Sequence, residues 1–263
     1  MTPLRKGPRT RARAPAGGAD DAMRLNRYLA FCGVASRRAS MDLIQTGRVS
    51  LNGAVTREPG VAVRPGEDEV RLDGESVLPP AVMAYYAFHK PRGVVVSMED
   101  ELGREGLQPY LRRLPERVFA VGRLDRNSEG LLLLTNDGEL GNRLLHPRYG
   151  VEKVYQVSVT PRPRPGQLRL LADGVQIGPQ EKTAPAEVRI RRARAKGAVL
   201  RMTLTEGKKR EVRRMCRAVG LRVQRLKRIA FAGVTLAGLP AGKMRRLTSE
   251  EITELRRRTE LLA

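Results

Sequence analysis

The stretch Val121-Gly122-Arg123-Leu124-Asp125-Arg126-Asn127-Ser128-Glu129-Gly130 places a carboxylate in a polar, glycine-bounded loop, directly before the run Leu131 to Leu134. Such a short apolar run reads as a buried strand, and a loop feeding a buried strand is a stiff mount for a reactive group. Asp125 stands between Arg123 and Arg126. A neighbouring cation keeps a carboxylate ionised at neutral pH, and an ionised carboxylate can act as nucleophile or general base. An Asp in a loop also commonly caps a turn, so local physics leaves both uses open. Tyr155 lies in the alternating segment Val154 to Val159. It fits an ordinary strand aromatic as well as a platform on which a base could stack. The run from Lys208 to Arg217, extended by Arg222, Arg225, Lys227 and Arg228, is either a solvated helix face or a surface that meets phosphates. The total charge favours phosphates.

Other chemistry-bearing residues fall short. His89 and His146 have no carboxylate or serine partner in a recognisable pattern. Cys32 and Cys216 have no cysteine or histidine at ligand spacing, so no zinc site is expected and both read as ordinary thiols of a reducing cytoplasm. The segment Gly238 to Met244 has its glycines one residue too close for a phosphate-binding loop, and Met244 stands where a hydroxyl is needed.

The elements that must hold these residues are partly readable. Leu25, Tyr28, Leu29 and Cys32 recur at helical spacing up to Gly33. Ser36 caps a second helix, with Ala39, Leu43 and Ile44 on its inner face and Gly47 as its stop. Arg48 to Leu51 alternates as a strand and turns at Asn52-Gly53. Val61 and Val63 resume a strand, and Pro65-Gly66 turns the chain before Val70 and Leu72. Leu78-Pro79-Pro80 reads as a linker. Beyond it, strands are expected around Tyr85 and Ala87, at Val94 to Val96 after the Pro91-Arg92-Gly93 turn, at Val154 to Val159 and at Val199 to Thr205. Glu211 to Val219 is a basic amphipathic helix. Thr248-Ser249-Glu250-Glu251 is a capping box ahead of Ile252, Leu255 and Leu262 on one face. The pattern predicts an α+β chain with a mainly antiparallel sheet rather than regular βαβ winding. Its predicted parts are a disordered basic arm over 1–22, a small helix-and-sheet domain over 23–78 and a catalytic-sized domain over 83–263.

Composition narrows the partner. The 263 residues carry 50 Lys and Arg against 28 Asp and Glu, a net charge of +22. Arginine dominates, and its planar fork suits bidentate phosphate contact and stacking on bases. A polyanion, most simply a nucleic acid, is the expected partner. The longest apolar run is far too short to span a membrane, and no apolar signal segment follows the N-terminal charges.

Two resemblances sharpen this picture. Arg24-Leu25-Asn26-Arg27-Tyr28-Leu29, then Gly33-Val34-Ala35-Ser36-Arg37-Arg38, Gly47-Arg48-Val49 and Asn52-Gly53, resemble the alpha-L RNA-binding motif, named after a small-subunit ribosomal protein. Gly122-Arg123-Leu124-Asp125, followed by Gly130 to Gly138, resembles the catalytic signature of rRNA pseudouridine synthases of the RsuA/RluB type. Three further segments match in the same order: Lys90-Pro91-Arg92-Gly93-Val94, Glu152-Lys153-Val154-Tyr155-Gln156-Val157, and Glu206-Gly207-Lys208-Lys209-Arg210-Glu211-Val212-Arg213-Arg214-Met215. His89 and Ser128 depart from the usual Asn and Thr, and Lys209 and Glu211 vary within the last motif.

The resemblance implies Asp125 as nucleophile, Tyr155 stacked on an extruded uracil and aiding proton transfer, and Arg213 holding Asp125 charged and oriented. Leu226 would pack on the base from its other side, with Arg123, Arg228 and Lys90 as further substrate contacts. RNA-binding roles fall to Arg24, Ser36, Arg37, Arg38 and Arg48 in the small domain and to Lys208, Arg210 and Arg214 in the large one. The implied reaction exchanges an N–C glycosidic bond for a C–C bond with no redox change, so no metal or other cofactor is expected. The expected partner is ribosomal RNA, weakly favouring the large subunit, free or in a ribosome-assembly intermediate; the expected enzyme is monomeric and cytoplasmic. A non-catalytic RNA-binding or assembly factor would suit the first domain and the charge equally, but Asp125, Tyr155 and Arg213 together argue against it. The missing phosphate loop argues against a synthetase fragment or an RNA-dependent ATPase.

Overall fold

The computed structural model describes residues 22–97 and 105–262. The expected basic arm therefore lies outside the described residues except for Ala22. The chain divides into two compact units between Met83 and Ala84.

In the first unit, β1 (Met23–Arg24) leads into α1 (Leu25–Phe31) and α2 (Arg37–Gln45). The strands β2 (Val49–Leu51), β3 (Ala54–Val55), β4 (Ala62–Val63), β5 (Val70–Leu72) and β6 (Glu75–Ser76) follow. The order β3-β2-β5-β6 makes one small sheet, and β4 pairs with β1 instead. Asn52 and Gly53 both have positive φ, 50° and 84°, the backbone that a two-residue hairpin turn requires. The Ser36 hydroxyl accepts the Ala39 N–H and caps α2. Leu25, Tyr28, Leu29, Ile44, Val49, Val63, Val70 and Val77 form the core, and the Tyr28 hydroxyl donates to the Val77 carbonyl at 3.0 Å. Ala39, expected inside, is exposed. Ser40, one residue and about 100° of helix further round, is buried above Ile44 instead.

The second unit contains β7 (Tyr85–Lys90), α3 (Gln108–Leu111), β8 (Phe119–Val121), β9 (Glu129–Thr135), α4 (Gly138–Leu145) and β10 (Lys153–Thr160). It continues through α5 (Pro165–Asp173), β11 (Gln176–Gly178), β12 (Glu181–Lys182), β13 (Glu187–Arg194), β14 (Gly197–Leu204) and α6 (Glu211–Ala218). Last come β15 (Arg222–Phe231), β16 (Val234–Thr235), β17 (Met244–Arg246) and α7 (Ser249–Arg258). A nine-stranded sheet runs β13-β14-β10-β15-β9-β7-β17, with β16 beside β15 and β8 beside β9. Among the described residues its pairings are antiparallel except β9 with β15, which is parallel. The architecture is α+β.

Two cores flank this sheet. Every residue of β9 is buried, as a strand covered on both faces should be. Its Leu132 and Leu134 join Phe88, Val94, Leu107 and Val118. Further along, Val212, Met215 and Cys216 of α6 close over Val157, Leu200, Met202 and Leu226. That i, i+3, i+4 spacing is the apolar stripe by which a helix seats on a sheet.

Two expectations fail locally. Val94 to Val96 form no strand. The Val94 side chain enters the core, while its carbonyl accepts the Lys90 ammonium at 2.6 Å rather than a ladder N–H. Leu262 is exposed and beyond α7, because Glu260 takes a left-handed backbone (φ 55°) that ends the helical path. The Thr248–Glu251 capping box itself forms.

The parallel contact depends on Gly130. Its φ is +113°, and a Cβ there would lie 2.2 Å from the Arg228 carbonyl oxygen. Gly130→Ala is therefore expected to destabilise the chain by about 2–4 kcal/mol through strain and overlap, read as a lower urea midpoint with unchanged m-value.

Candidate active site

Asp125 sits in the connection between β8 and β9, and three anchors hold that connection. Leu124 is buried. The Ser128 N–H closes a turn on the Asp125 carbonyl at 2.9 Å. The Gly93 N–H donates to the Arg126 carbonyl at 2.8 Å, and Arg126 Nε returns a bond to the Gly93 carbonyl at 3.1 Å. The Lys90–Gly93 turn thus clamps the carboxylate loop from outside.

Arg213 projects from α6 towards this loop. Its Nη2 donates to the Asn127 carbonyl at 2.9 Å and to Ser128 Oγ at 3.3 Å. Its Nε lies 4.0 Å from Asp125 Oδ2, an ion-pair distance too long for a hydrogen bond, and that buried Nε has no other partner. The Asp125 side chain keeps 34% exposure against 15% for Arg213, so the carboxylate opens outward while the cation sits behind it. Burial pulls the Arg213 pKa below its ordinary value, Arg210 adds to that, and Asp125 opposes it.

The sheet supplies the floor. Tyr155 on β10 is half-buried and packs against the core under α6. It stands directly opposite Arg228 on β15, while Val157 opposes Leu226. Directly opposed residues share a face of an antiparallel sheet, so Tyr155, Arg228 and Leu226 lie on the side that α6 covers. Arg228 is in turn the register partner of Gly130 on β9, the strand that the Asp125 loop enters. Arg228 is buried: its Nε donates to the Leu131 carbonyl at 2.8 Å, its guanidinium lies 4.8 Å over the Phe231 ring, and its Nη2 is left without a partner.

Three expected contacts are corrected by their surroundings. Lys90 is fully buried, and its Nζ donates to the carbonyls of Pro91 and Val94, so it braces the clamping turn rather than reaching a substrate. Burial lowers its pKa to about 8, although Asp125 and Glu129 act in the opposite sense. Arg214 is committed to Glu181 and to the Ile177 carbonyl, tying α6 to the β11–β12 hairpin. Lys208 is taken up by Glu206 and the Lys182 carbonyl. In each case internal acceptors engage donors of the side chain. Arg123 and Arg210 are exposed. In the first unit Arg24, Arg37 and Arg38 are exposed, Arg48 is exposed and paired with Asp73, and the Ser36 oxygen is engaged as the cap.

The residue spacing did not reveal a buried charge cluster at the start of α6. Glu211 is 5% exposed, and its Oε2 accepts the Lys208 N–H at 3.1 Å. Its Oε1 is buried without a hydrogen-bond partner, within electrostatic reach of the Glu206 carboxyl. Burial pushes Glu211 up to about 8, with Glu206 acting in the same direction. Burial would raise Glu206 too, but Glu211, Lys208 and the Ala184 N–H bring it below its ordinary value. Lys153 is buried alongside, bonded to the Val151 and Thr205 carbonyls, and burial followed by Arg228 lowers it to about 8. The signal available in the sequence was the pair of acids flanking a run of cations from Lys208 to Arg210.

A partly open carboxylate backed by a buried arginine, in the loop that enters the sheet whose α6-covered face carries Tyr155 and Leu226, is suited to covalent or acid–base chemistry on a flat heterocycle. The family described as RNA pseudouridylate synthase matches residues 84–218, and the S4 domain matches residues 23–70. The chain belongs to the RNA pseudouridylate synthase family, carrying an S4 RNA-binding domain ahead of the catalytic one, and is a pseudouridine synthase. Among its relatives, the ribosomal large subunit pseudouridine synthase B of Bacillus subtilis is 40% identical, over 89% of this chain and 95% of the relative. The dual-specificity RNA pseudouridine synthase RluF of Escherichia coli is 34% identical, over 90% and 79%. A crystal structure of a pseudouridylate synthase superposes with a TM-score of 0.65 at 28% identity, covering 89% of this chain and 99% of that one.

The raised Glu211 carboxyl gives the site a pH signature. A carboxyl whose folded pKa is raised contributes stability that is fully present below its ordinary 4.5 and is lost as pH rises through about 8. The native chain is expected to lose thermal stability over that window. Glu211→Gln, which keeps a donor towards Glu206 without a titratable proton, should lose less, the two melting curves diverging by roughly 2–4 °C per kcal/mol of linkage.

Proposed function

We propose that this enzyme isomerises uridine in ribosomal RNA, in the large subunit, with Asp125 as the nucleophile and the target base turned out of its stack. The observation that carries the reading is the open Asp125 carboxylate with the buried Arg213 Nε 4.0 Å behind it and no other acceptor for that Nε. An Arg–carboxylate pair that is loose in the free enzyme can tighten once substrate excludes water, when its electrostatic worth rises. The ribosomal target is supported by the names of the Bacillus subtilis relative and by the net charge of +22.

A uridine within folded RNA must leave its helix to meet a carboxylate on a protein loop. Stacking on Tyr155 offsets about 1–3 kcal/mol of that cost, and Leu226 supplies an apolar wall. Asp125 attacks the nucleotide, the N1–C1′ bond breaks, the uracil turns, C5 bonds to C1′, and the bond to Asp125 breaks to return the free carboxylate. The C5 proton leaves and N1 acquires one, so atoms and charge balance with no redox partner. In this reading the Tyr155 hydroxyl assists that proton movement. Arg228 fixes the floor and keeps one buried N–H for the base. Arg24, Arg37, Arg38 and Arg48 of the small domain hold the RNA backbone, helped by the N-terminal amides of α2. Arg123 and Arg210 do so near the catalytic loop.

Pseudouridines mapped across rRNA from cells lacking this protein should show at least one missing position. The native chain should restore it and Asp125→Asn should not; full restoration by Asp125→Asn, or no dependent uridine, overturns the reading. Arg213→Ala is expected to lower kcat by about 10²–10³ with a smaller change in KM, measured by tritium release from C5-labelled RNA.

A further inference from the structure

The side of the sheet that faces away from α6 carries a second charged surface. Arg189, Arg201, Gln156 and Lys227 are successive register partners across β13, β14, β10 and β15. They form one row on one face, and the next row reads Arg192, Val199, Ser158 and Arg225. Tyr155, Leu226 and Arg228 alternate with these residues, so they occupy the opposite face. Strands lie about 4.8 Å apart, so the first row spans roughly 14 Å.

Arg189 and Arg201 are directly opposed like charges, a pairing that costs stability in a sheet. Neutralisation on this face is sparse. Arg189 pairs with Glu187 and Arg225 with Glu129, each at 2.7 Å. Among the described residues, no carboxylate lies within ion-pair distance of Arg192, Arg194, Arg201 or Lys227. Gln156, Ser158, Arg194, Gln224, Arg225 and Lys227 line a hollow of about 320 Å³. Each of these side chains carries an N–H or O–H donor, and none is acidic. A second hollow of about 570 Å³ adjoins it, sharing Lys227 and reaching Leu236 to Pro240. The result is a donor-lined trough on an open sheet face, whose charge complements a chain of phosphates and whose self-repulsion a polyanion would relieve.

We infer that this face is a second RNA-docking surface, which grips the phosphodiester backbone of a duplex segment separate from the one that presents the target uridine. The inference rests on the reading that the substrate is ribosomal RNA, where a target is surrounded by neighbouring helices. Contact is to backbone and shape, because a flat row of Arg, Lys and Gln meets A-form RNA through phosphates rather than base edges. The sheet itself separates this surface from Asp125, so docking here changes RNA affinity without touching the chemistry.

The test uses the full chain with Arg201→Gln and Lys227→Gln combined. Binding to a short RNA duplex of unrelated sequence is followed over a salt series, and turnover is measured on a minimal hairpin bearing the mapped uridine. The double variant is expected to bind the duplex about tenfold more weakly, and its log K against log salt slope should be shallower by about 2. Its kcat and KM on the minimal hairpin should stay within about twofold of native, and its melting temperature should not fall, since a like-charge contact is relieved. Arg192→Gln with Arg194→Gln provides an independent pair with the same expected slope change. An unchanged slope in both pairs overturns the inference, as does a matching loss of hairpin kcat, which would assign the row to the catalytic face. Loss of polyglutamate binding with an unchanged duplex slope would also overturn it, in favour of an acidic protein. If the native chain modifies no rRNA uridine, the proposed function fails while the duplex measurement still judges this surface.

Discussion

Asp125 and the sheet floor come together because β9 runs parallel to β15 and unusually close to it at Gly130. A side chain at that position would collide with the Arg228 backbone. The glycine is therefore a steric condition on the whole site. Through it, the strand entered by the Asp125 loop is locked beside the strand that carries Leu226 and Arg228, and one strand further lies Tyr155. The loop alone could point Asp125 in many directions; with Gly130 seated and the Gly93–Arg126 clamp closed, it is presented beside α6.

Several full or potential charges are buried around that contact. Lys90, Lys153 and the Glu206–Glu211 pair all sit where burial disfavours ionisation. Each is held by hydrogen bonds to the backbone or to a neighbouring side chain. Such groups add little net stability against apolar replacements, yet removing one partner leaves another uncompensated. Their consequence here is directional: Lys90 holds the turn that clamps the Asp125 loop, and Glu211 holds the start of the helix that aims Arg213. Long side chains around the site are thereby fixed before substrate arrives, which is the condition for electrostatic preorganisation.

The same sheet serves two surfaces because strand side chains alternate. One face is largely apolar and covered by α6, with Arg213 and Asp125 at its margin. The other is polar and open, as antiparallel sheets permit, and cations of three of its four strands align across it. This division sorts the cations of the unit: Arg214 and Lys208 are engaged internally, while Arg201 and Lys227 lie on the face away from α6.

Much of the chain is legible from short-range pattern. The Ser36 cap, the Asn52-Gly53 hairpin, the buried strand at Leu131 to Leu134, the α6 stripe and the Thr248–Glu251 capping box each depend on residues a few positions apart. Their physics is present in the sequence itself. Asp137, by contrast, accepts the Leu140 N–H and caps α4, a cap the pattern also contained but which the leucine run overshadowed. The sequence by itself determined the elements, the excess of cations and the residue types able to do chemistry. Only the tertiary structure decided that Lys90 and Arg214 are engaged by internal acceptors, that Glu211 is buried near Glu206, that Val94 leaves the ladder, and that arginines distant in sequence stand in one row. The reason is that burial, strand register and donor occupancy are set by partners far along the chain, and no local window contains both members of such a pair.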